Sequence, residues 1–452
     1  MLKLYNYLTR TIDEFTPLNL PQVGYYSCGP TAYDFVHIGN LRTFIFEDIL
    51  QRVLESNVYE VKRVMNITDI DDKIIKGAKE RGEEIGQFSA PYEKAFFEDL
   101  KKLNIKSASV YPKATEHIGK MIKYIEELIK KGLAYVEKDG SVYFDISKFK
   151  SYGKLSGLEN RELKIGVRVK ADEYSKDDVS DFALWKAVET DEVGYDSPWG
   201  KGRPGWHIEC SVMSQEYLGG TFDIHAGGID LLFPHHENEI AQSEGKTGKK
   251  FVNFFVEGEH LLVQDQKMAK SAGNFYRLRD LENKDLDPIS FRYLCLTAHY
   301  RDKLNFTWQS LIAAQNALNN LREQIRGWDS EISLSNQGNL QNDPFWQRFL
   351  KAANNDLNIP QAVGVLWEMV HSDEPTSLKA KVLLEMDKIL GLNLDKYLGQ
   401  PLEVPNQVMK LVNLRETARK SGDFKESDEL RDKIKKLGYE VEDTPEGPRL
   451  RQ

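Results

Sequence analysis

Cys28, Cys210, His235 and Glu239 are the side chains of this 452-residue chain whose types suit a soft divalent metal. A thiolate, a neutral imidazole and a carboxylate are each zinc ligands. His235 and Glu239 stand i, i+4 in the segment FPHHENEIAQ, so a helix would put them on one face, and Pro234 suits a first helical turn. Convergence of the four would seat a metal at the mouth of a nucleotide-type turn. Spacing alone does not join Cys28 to Cys210. Taken singly, HHENE reads at least as readily as a solvated helix face, and a lone cysteine as a packed hydrophobe.

Two further segments could handle a polyphosphate. His37-Ile38-Gly39-Asn40 lies where a strand-like run gives way to helical spacing. An imidazole beside the free N–H groups of a helix start can hold phosphate, and Gly39 would let an adenine ring approach the backbone. In Lys267-Met268-Ala269-Lys270-Ser271, two lysines three apart could follow charge as it builds on departing phosphates. Alone, the first segment more often marks a structural histidine and the second a solvated basic turn.

The elements that must position these residues read as an α/β chain. GYYSCGPTAYDFVHIGNLRTF reads strand, turn, helix, and VYEVKRVMNITDIDDKII gives a second strand closing at Asn66–Asp69. A strand–helix–strand start predicts a parallel sheet with ligands at the carboxyl ends of its strands. From about Tyr111 the pattern changes to an apolar stripe (Ile118, Met121, Ile122, Ile125, Leu128, Ile129) stopped by Gly132, then a hairpin turning on Asp139-Gly140. The stretch 151–204 reads as polar and irregular. FDIHAGGID and FVNFFVEGEHLLV resume the sheet pattern. The C-terminal third is helical: Thr307 caps a helix carrying Leu311, Ala314, Leu318, Leu321 and Ile325. A linker follows at about 329–344, then helical segments near 345–372 and 377–392, and a small terminal unit.

Bulk properties narrow the class without choosing a function. The length allows about three domains, and 40% hydrophobic with 29% charged residues is ordinary for a soluble globular protein. The formal charge of −9 means any polyanion must be held by local basic patches. Residues 410–452, with 11 Lys/Arg against 10 Asp/Glu, are less acidic than the rest. Three cysteines are too few for a disulfide framework. No signal peptide and no span of about 20 apolar residues is visible, so the expectation is a cytoplasmic protein with no membrane association.

In order, HIGN and KMAKS resemble the HIGH and KMSKS signatures of class I aminoacyl-tRNA synthetases. The resemblance narrows further: SCGPTAYDFVHIGN, MNITDIDDKII, RPGWHIECS, FPHHENEIAQ and EDTPEG, spread over nearly the whole chain, look like the cysteinyl-tRNA synthetase family. That likeness implies a Rossmann-like parallel-sheet catalytic domain with an inserted connective domain, a helical bundle and a small terminal domain. The implied units are 1–110 and 205–262 for the two catalytic halves, 111–204 for the insertion, and 263–306 for the junction carrying the lysine motif. A tRNA-binding bundle at 307–396 and an anticodon-binding unit at 397–452 complete the chain.

The resemblance also implies the site. One zinc would be held by Cys28, Cys210, His235 and Glu239. His37, Ile38, Gly39, Asn40, Gly228, Asp230 and Lys270 would hold ATP, which brings Mg²⁺. His37, Lys267 and Lys270 would be catalytic, with Lys270 the stronger candidate. Gly29, Thr68, Trp206 and His225 would line the substrate pocket, with Asp230 set to accept from either the ATP ribose or the cysteine ammonium. The partners implied are ATP, L-cysteine and tRNA(Cys), and the family is commonly monomeric. A metal makes chemical sense here: cysteine and serine differ by one atom, shape selection of that order yields only about 1–3 kcal/mol, and a thiol ionises onto zinc far more readily than a hydroxyl. The short 111–204 insertion argues against a separate hydrolytic editing domain.

Three departures stand out. Asn40 replaces the last His of HIGH, Ala269 replaces the first Ser of KMSKS, and Leu450 stands where the family often has a Trp. Asn40 can still donate to an oxygen, while Leu450 weakens any stacking on an anticodon base. Arg415, Arg419 and Lys420 are the expected anticodon contacts. The nearest rival is a related ligase that passes activated cysteine to an amino-sugar amine, against which the C-terminal units argue. A catalytically dead paralogue would have lost a motif lysine or a metal ligand, and none is lost.

Overall fold

The computed structural model describes residues 1–158, 168–169, 180–189, 192–268, 273–328, 340–402, 404–444 and 447–451. At its centre is a four-stranded sheet of β1 (Gln22–Ser27), β2 (Glu60–Met65), β3 (Phe222–Gly228) and β4 (Val252–Gly258). All neighbours are parallel and the order across the sheet is β4-β3-β1-β2. Parallel neighbours need helical crossovers. Helix α1 (Ile38–Ser56) joins β1 to β2, α2 (Trp206–Leu218) leads into β3, and α3 (Glu237–Thr247) joins β3 to β4.

Strand periodicity explains why the sheet is buried on both faces. Tyr25 packs into a core shared with α1 and the C-terminal helices, while Tyr26, the next residue, packs into a second core shared with α2 and the insertion. Phe254 and Phe255 divide in the same way. The carboxyl ends of β1 and β3, neighbours in the sheet, therefore open towards the same end of the molecule, where helix starts and loops meet.

The insertion holds more structure than its sequence suggests. The expected helix is Ile118–Lys130, and the hairpin pairs Ala134–Val136 with Val142–Phe144. The expectation of an irregular 151–204 is corrected: Asp181–Ala187 is a strand flanked by Val142–Phe144 and Gly202–Pro204. Its first five residues are all buried, so no polar–apolar alternation marks it. The expectation for FPHHENEIAQ also needs correction. Phe233 is extended, with φ −142° and ψ 131°, and regular α-helix starts only at Glu237, so Pro234 and His235 lie in a wide turn before it.

Thr307 caps the helix Trp308–Arg326 as expected, accepting from Ser310 N. The helical segment expected at 345–372 is two helices, Pro344–Ala353 and Ile359–Val370, broken where Asp356 and Leu357 take positive φ. The linker expectation falls mostly on 329–339, outside the described residues. Helices to Leu390 share one continuous core with the sheet, whereas Val408, Val412, Ile434, Tyr439 and Val441 form a separate small core. No helix among the described residues is long and apolar enough to cross a membrane.

Candidate active site and metal centre

Cys28 follows β1 directly, Cys210 sits one turn into α2, His235 lies in the wide turn after β3, and Glu239 lies in the first turn of α3. The structure brings these four together: one ligand atom from each lies within 4.8 Å of the others. The two sulfurs are 3.9 Å apart, and His235 Nε2 is 3.2 Å from Glu239 Oε1. That last pair is at ion-pair distance, yet neither atom makes a hydrogen bond, and both are buried. With the His235 proton on Nδ1, which meets His207 Nδ1 at 3.0 Å, Nε2 presents its lone pair to the cluster. Two soft sulfurs, an imidazole nitrogen and a carboxylate oxygen converging on one point are a donor set that fits a thiophilic divalent metal. The cluster can hold a metal ion.

Its surroundings orient the ligands. His225 is fully buried and meets the other Glu239 oxygen, Oε2, at 3.0 Å. His236 Nδ1 meets Glu257 Oε1 at 2.8 Å, and its Nε2 faces Cys28 Sγ at 3.6 Å. A second foursome, Cys28, His225, His236 and Glu239, is also close enough to share a cation. There, however, His236 Nδ1 and Glu239 Oε2 are already engaged by Glu257 and His225. Burial pushes the Cys28 and Cys210 thiols up and the His235 imidazole down. Burial also raises the Glu239 carboxyl, but the imidazoles of His225 and His235 outweigh it and leave it below the usual range.

Beside the cluster opens a cleft of about 290 Å³ lined by Cys28, Gly29, His37, Asn40, Trp206, Gly228 and Asp230 among others. A larger hollow of about 580 Å³ lies at the amino ends of the strands, around Gln22, Glu60 and Asp223. The smaller cleft is the better ligand site because it is at the carboxyl ends and touches the metal cluster. Gly29 is required there: its N–H donates to Asn66 Oδ1 at 3.0 Å, and a Cβ would overlap the Asn66 carbonyl. Thr68 is buried beneath, accepting from Asn66 Nδ2 at 3.2 Å and donating to Glu209 Oε2 at 2.8 Å. Trp206 stacks obliquely on His235, centroids 4.3 Å apart. Of the expected pocket residues, Gly29 and Trp206 face the cleft, while Thr68 and His225 support it from behind.

His37 is the N-cap of α1. Its Nδ1 accepts from Asn40 N at 3.1 Å, and Asn40 Oδ1 accepts from His37 N at 3.2 Å. HIGN is thus a reciprocal capping box in which Asn40 takes the role Glu or Gln usually plays. A Cβ on Gly39 would press on the His37 ring at 2.8 Å and on Met268 Cε at 3.2 Å. Lys267 ends the hairpin Leu261–Lys267, which turns on Gln264 and Asp265 from a strand buried at Leu261 and Val263 to an exposed one. Ala269 and Lys270 lie outside the described residues.

Residues 14–316 match the family described as tRNA synthetases class I (C) catalytic domain, and residues 403–451 match the cysteinyl-tRNA ligase anticodon binding domain. The chain is 44% identical over 469 residues to a cysteine–tRNA ligase of Chlamydia felis, covering 100% of this chain and 98% of that one. It is 45% identical over 465 residues to one of Brachyspira hyodysenteriae, covering 98% of each. The chain belongs to the cysteine–tRNA ligase family. The fold extends beyond the family: Mycobacterium tuberculosis methionyl-tRNA synthetase superposes at a TM-score of 0.63 with 13% identity, over 85% of this chain and 95% of that one.

For a member of this family, the terminal unit overturns one expectation. Arg415 was expected to contact an anticodon, but its side chain is fully buried and clamps Asp443 through two hydrogen bonds of 2.8 and 2.9 Å. Arg419 and Arg431 close on the same carboxylate at 3.2 Å each, and only Lys420 of the expected contacts is exposed. Leu450 packs against the small core. Sequence reasoning also passed over Asn66, His236 and Glu257. The second histidine of HHENE was a usable signal for His236; nothing local marked the other two.

Proposed function

We propose that the chain activates L-cysteine with ATP and transfers it to the terminal adenosine of tRNA(Cys), with one zinc held by Cys28, Cys210, His235 and Glu239. The observation that carries this reading is the pair of buried, unpartnered acceptors, His235 Nε2 and Glu239 Oε1, facing two sulfurs at the floor of the cleft. A bound zinc would supply a Lewis acid that takes the substrate thiol as thiolate and leaves a hydroxyl unbound.

The chain's own residues do the rest. Gly29 and Trp206 confine a small amino acid against the metal cluster, and Trp206 keeps water from it. The start of α1 presents the His37 ring and Asn40 to ATP, with Gly228 and Asp230 on the facing wall. The cysteine carboxylate attacks the α-phosphate, and pyrophosphate leaves with its Mg²⁺. Lys267 and Lys270 then answer the charge that builds on the leaving group. In the second step a ribose hydroxyl of the tRNA end attacks the acyl carbonyl of the adenylate, and AMP leaves as the acyl–phosphate bond breaks. Bundle and terminal unit bind tRNA, and the protein works as a cytoplasmic monomer.

Cysteine-dependent ATP–pyrophosphate exchange followed by charging of tRNA(Cys) tests this reading. Exchange without tRNA charging would favour the amino-sugar ligase instead.

A further inference from the structure

Arg42 lies one turn into α1 and is 5% exposed. A buried guanidinium needs its charge answered, and here backbone carbonyls answer it. Nη1 donates to Glu259 O at 2.8 Å and His260 O at 2.5 Å, and Nη2 donates to His299 O at 3.3 Å and to Asp302 O. Those carbonyls stand at the entrances of two strands, Leu261–Val263 and Leu304–Phe306, which pair in parallel. The first continues through the left-handed Gln264 and Asp265 into Gln266–Lys267. The hairpin that carries Lys267 therefore starts from residues that Arg42 holds.

The segment after the motif returns to the same helix. Ile38 N donates to Tyr276 O at 2.9 Å, and the Phe275 ring stands edge-on to His37 with centroids 5.0 Å apart. Met268 rests near Gly39. One turn beyond Arg42, Phe46 stacks on Tyr300, centroids 4.7 Å apart and planes 5° from parallel. Entry and exit of the lysine-motif excursion are both fastened to the first turns of α1, the helix that HIGN opens.

We propose that Arg42 is a positioning residue that fixes the Leu261–Lys267 hairpin against the HIGN turn and so sets where Lys267 stands relative to ATP. Carbonyl dipoles gathered around one point repel one another unless a cation lies among them, and a planar guanidinium can donate towards two strand entrances at once. A lysine ammonium keeps the charge but presents a single point, so it cannot span both. Arg42 touches no reacting group; it acts by holding the backbone that carries one.

The inference rests on the reading of these two elements as the ATP site, and the test separates the two. Wild-type, Arg42→Lys and Arg42→Ala chains, loaded with zinc, are compared in ATP–pyrophosphate exchange. The expected result for Arg42→Lys is a fall in the exchange kcat on the order of 100-fold, the effect of a slight misplacement of a reacting group. Zinc content and the KM for cysteine should stay at wild-type values, and amide hydrogen exchange should quicken over 261–268 but not in β1 or β3. Millimolar guanidinium should restore part of the rate to Arg42→Ala; if that variant does not fold, Arg42→Lys alone decides. A folded Arg42→Lys chain with the wild-type rate would overturn the inference, as would loss of zinc and cysteine binding in step with the rate. A wild-type chain with no cysteine-dependent exchange would instead overturn the functional reading on which the inference stands.

Discussion

At the end of the sheet, His235 Nε2 and Glu239 Oε1 face each other and two sulfurs without a hydrogen bond, whereas in the terminal unit both oxygens of Asp443 are taken by arginines. Both clusters mix charged and polar side chains at close range. The first gathers two unengaged acceptors and two thiols that become ligands on ionisation, a set that a cation completes. The second matches one carboxylate with the guanidinium groups of Arg415, Arg419 and Arg431, which is a closed structural knot. Composition alone does not separate a site from a brace. The sign and occupancy of the converging atoms do.

Breaking the first cluster should have the largest effect. Cys210→Ala should abolish cysteine activation and bring zinc below one per chain by metal analysis; full stoichiometric zinc in that variant would contradict the ligand set. Lys270→Ala should slow adenylate formation on the order of 10²–10³-fold while cysteine binding changes little, which single-turnover exchange can resolve. An unaltered rate would remove Lys270 from the chemistry.

Changes behind the ligands should be milder and graded. His225 and Glu257 touch Glu239 and His236 and not the metal point itself. His225→Phe or Glu257→Gln should therefore weaken zinc about 10- to 100-fold in a chelator competition and leave the ligand count intact. Unchanged zinc affinity in both would reduce these residues to packing.

The second cluster should respond in the opposite sense. Arg415→Met should loosen the terminal unit by on the order of 1–2 kcal/mol, weaken tRNA charging and leave ATP–pyrophosphate exchange untouched. A fall in exchange would contradict its confinement to the terminal unit. The smallest effect is on pH. The hydrogen bonds from Arg415 hold the Asp443 carboxyl below its usual range. The stability this contributes is present above the ordinary carboxylate value and is lost as pH falls through the lowered one. Acid should thus open the terminal hairpin, seen as amide exchange over 440–444, and Arg415→Met should flatten that dependence.

Local pattern made much of this legible. Tyr25 and Tyr26 announced a strand, the apolar stripe from Ile118 a helix, and Thr307 a cap, because each is decided by neighbours along the chain. Asp181–Ala187 was illegible since a strand buried on both sides shows no alternation. That Asn40 Oδ1 also caps α1, beside the cleft it lines, is revealed only by the backbone path. Arg415 was read as an RNA contact because a basic helix face and a buried ion pair look alike until Asp443 folds back from a hairpin. The metal ligands were compatible by type and joined by family likeness. Their convergence is a tertiary fact, set by a sheet that brings the ends of β1 and β3 together with α2 and α3.

The most direct test pairs metal analysis with tRNA(Cys) charging, using cysteine against serine, on the chain before and after zinc removal by a chelator. The expected result is one zinc per chain, charging with cysteine but not serine, and loss of cysteine activation when the metal is stripped, restored by zinc. A metal-free chain that still charges cysteine and rejects serine would contradict the assignment of thiol recognition to Cys28, Cys210, His235 and Glu239.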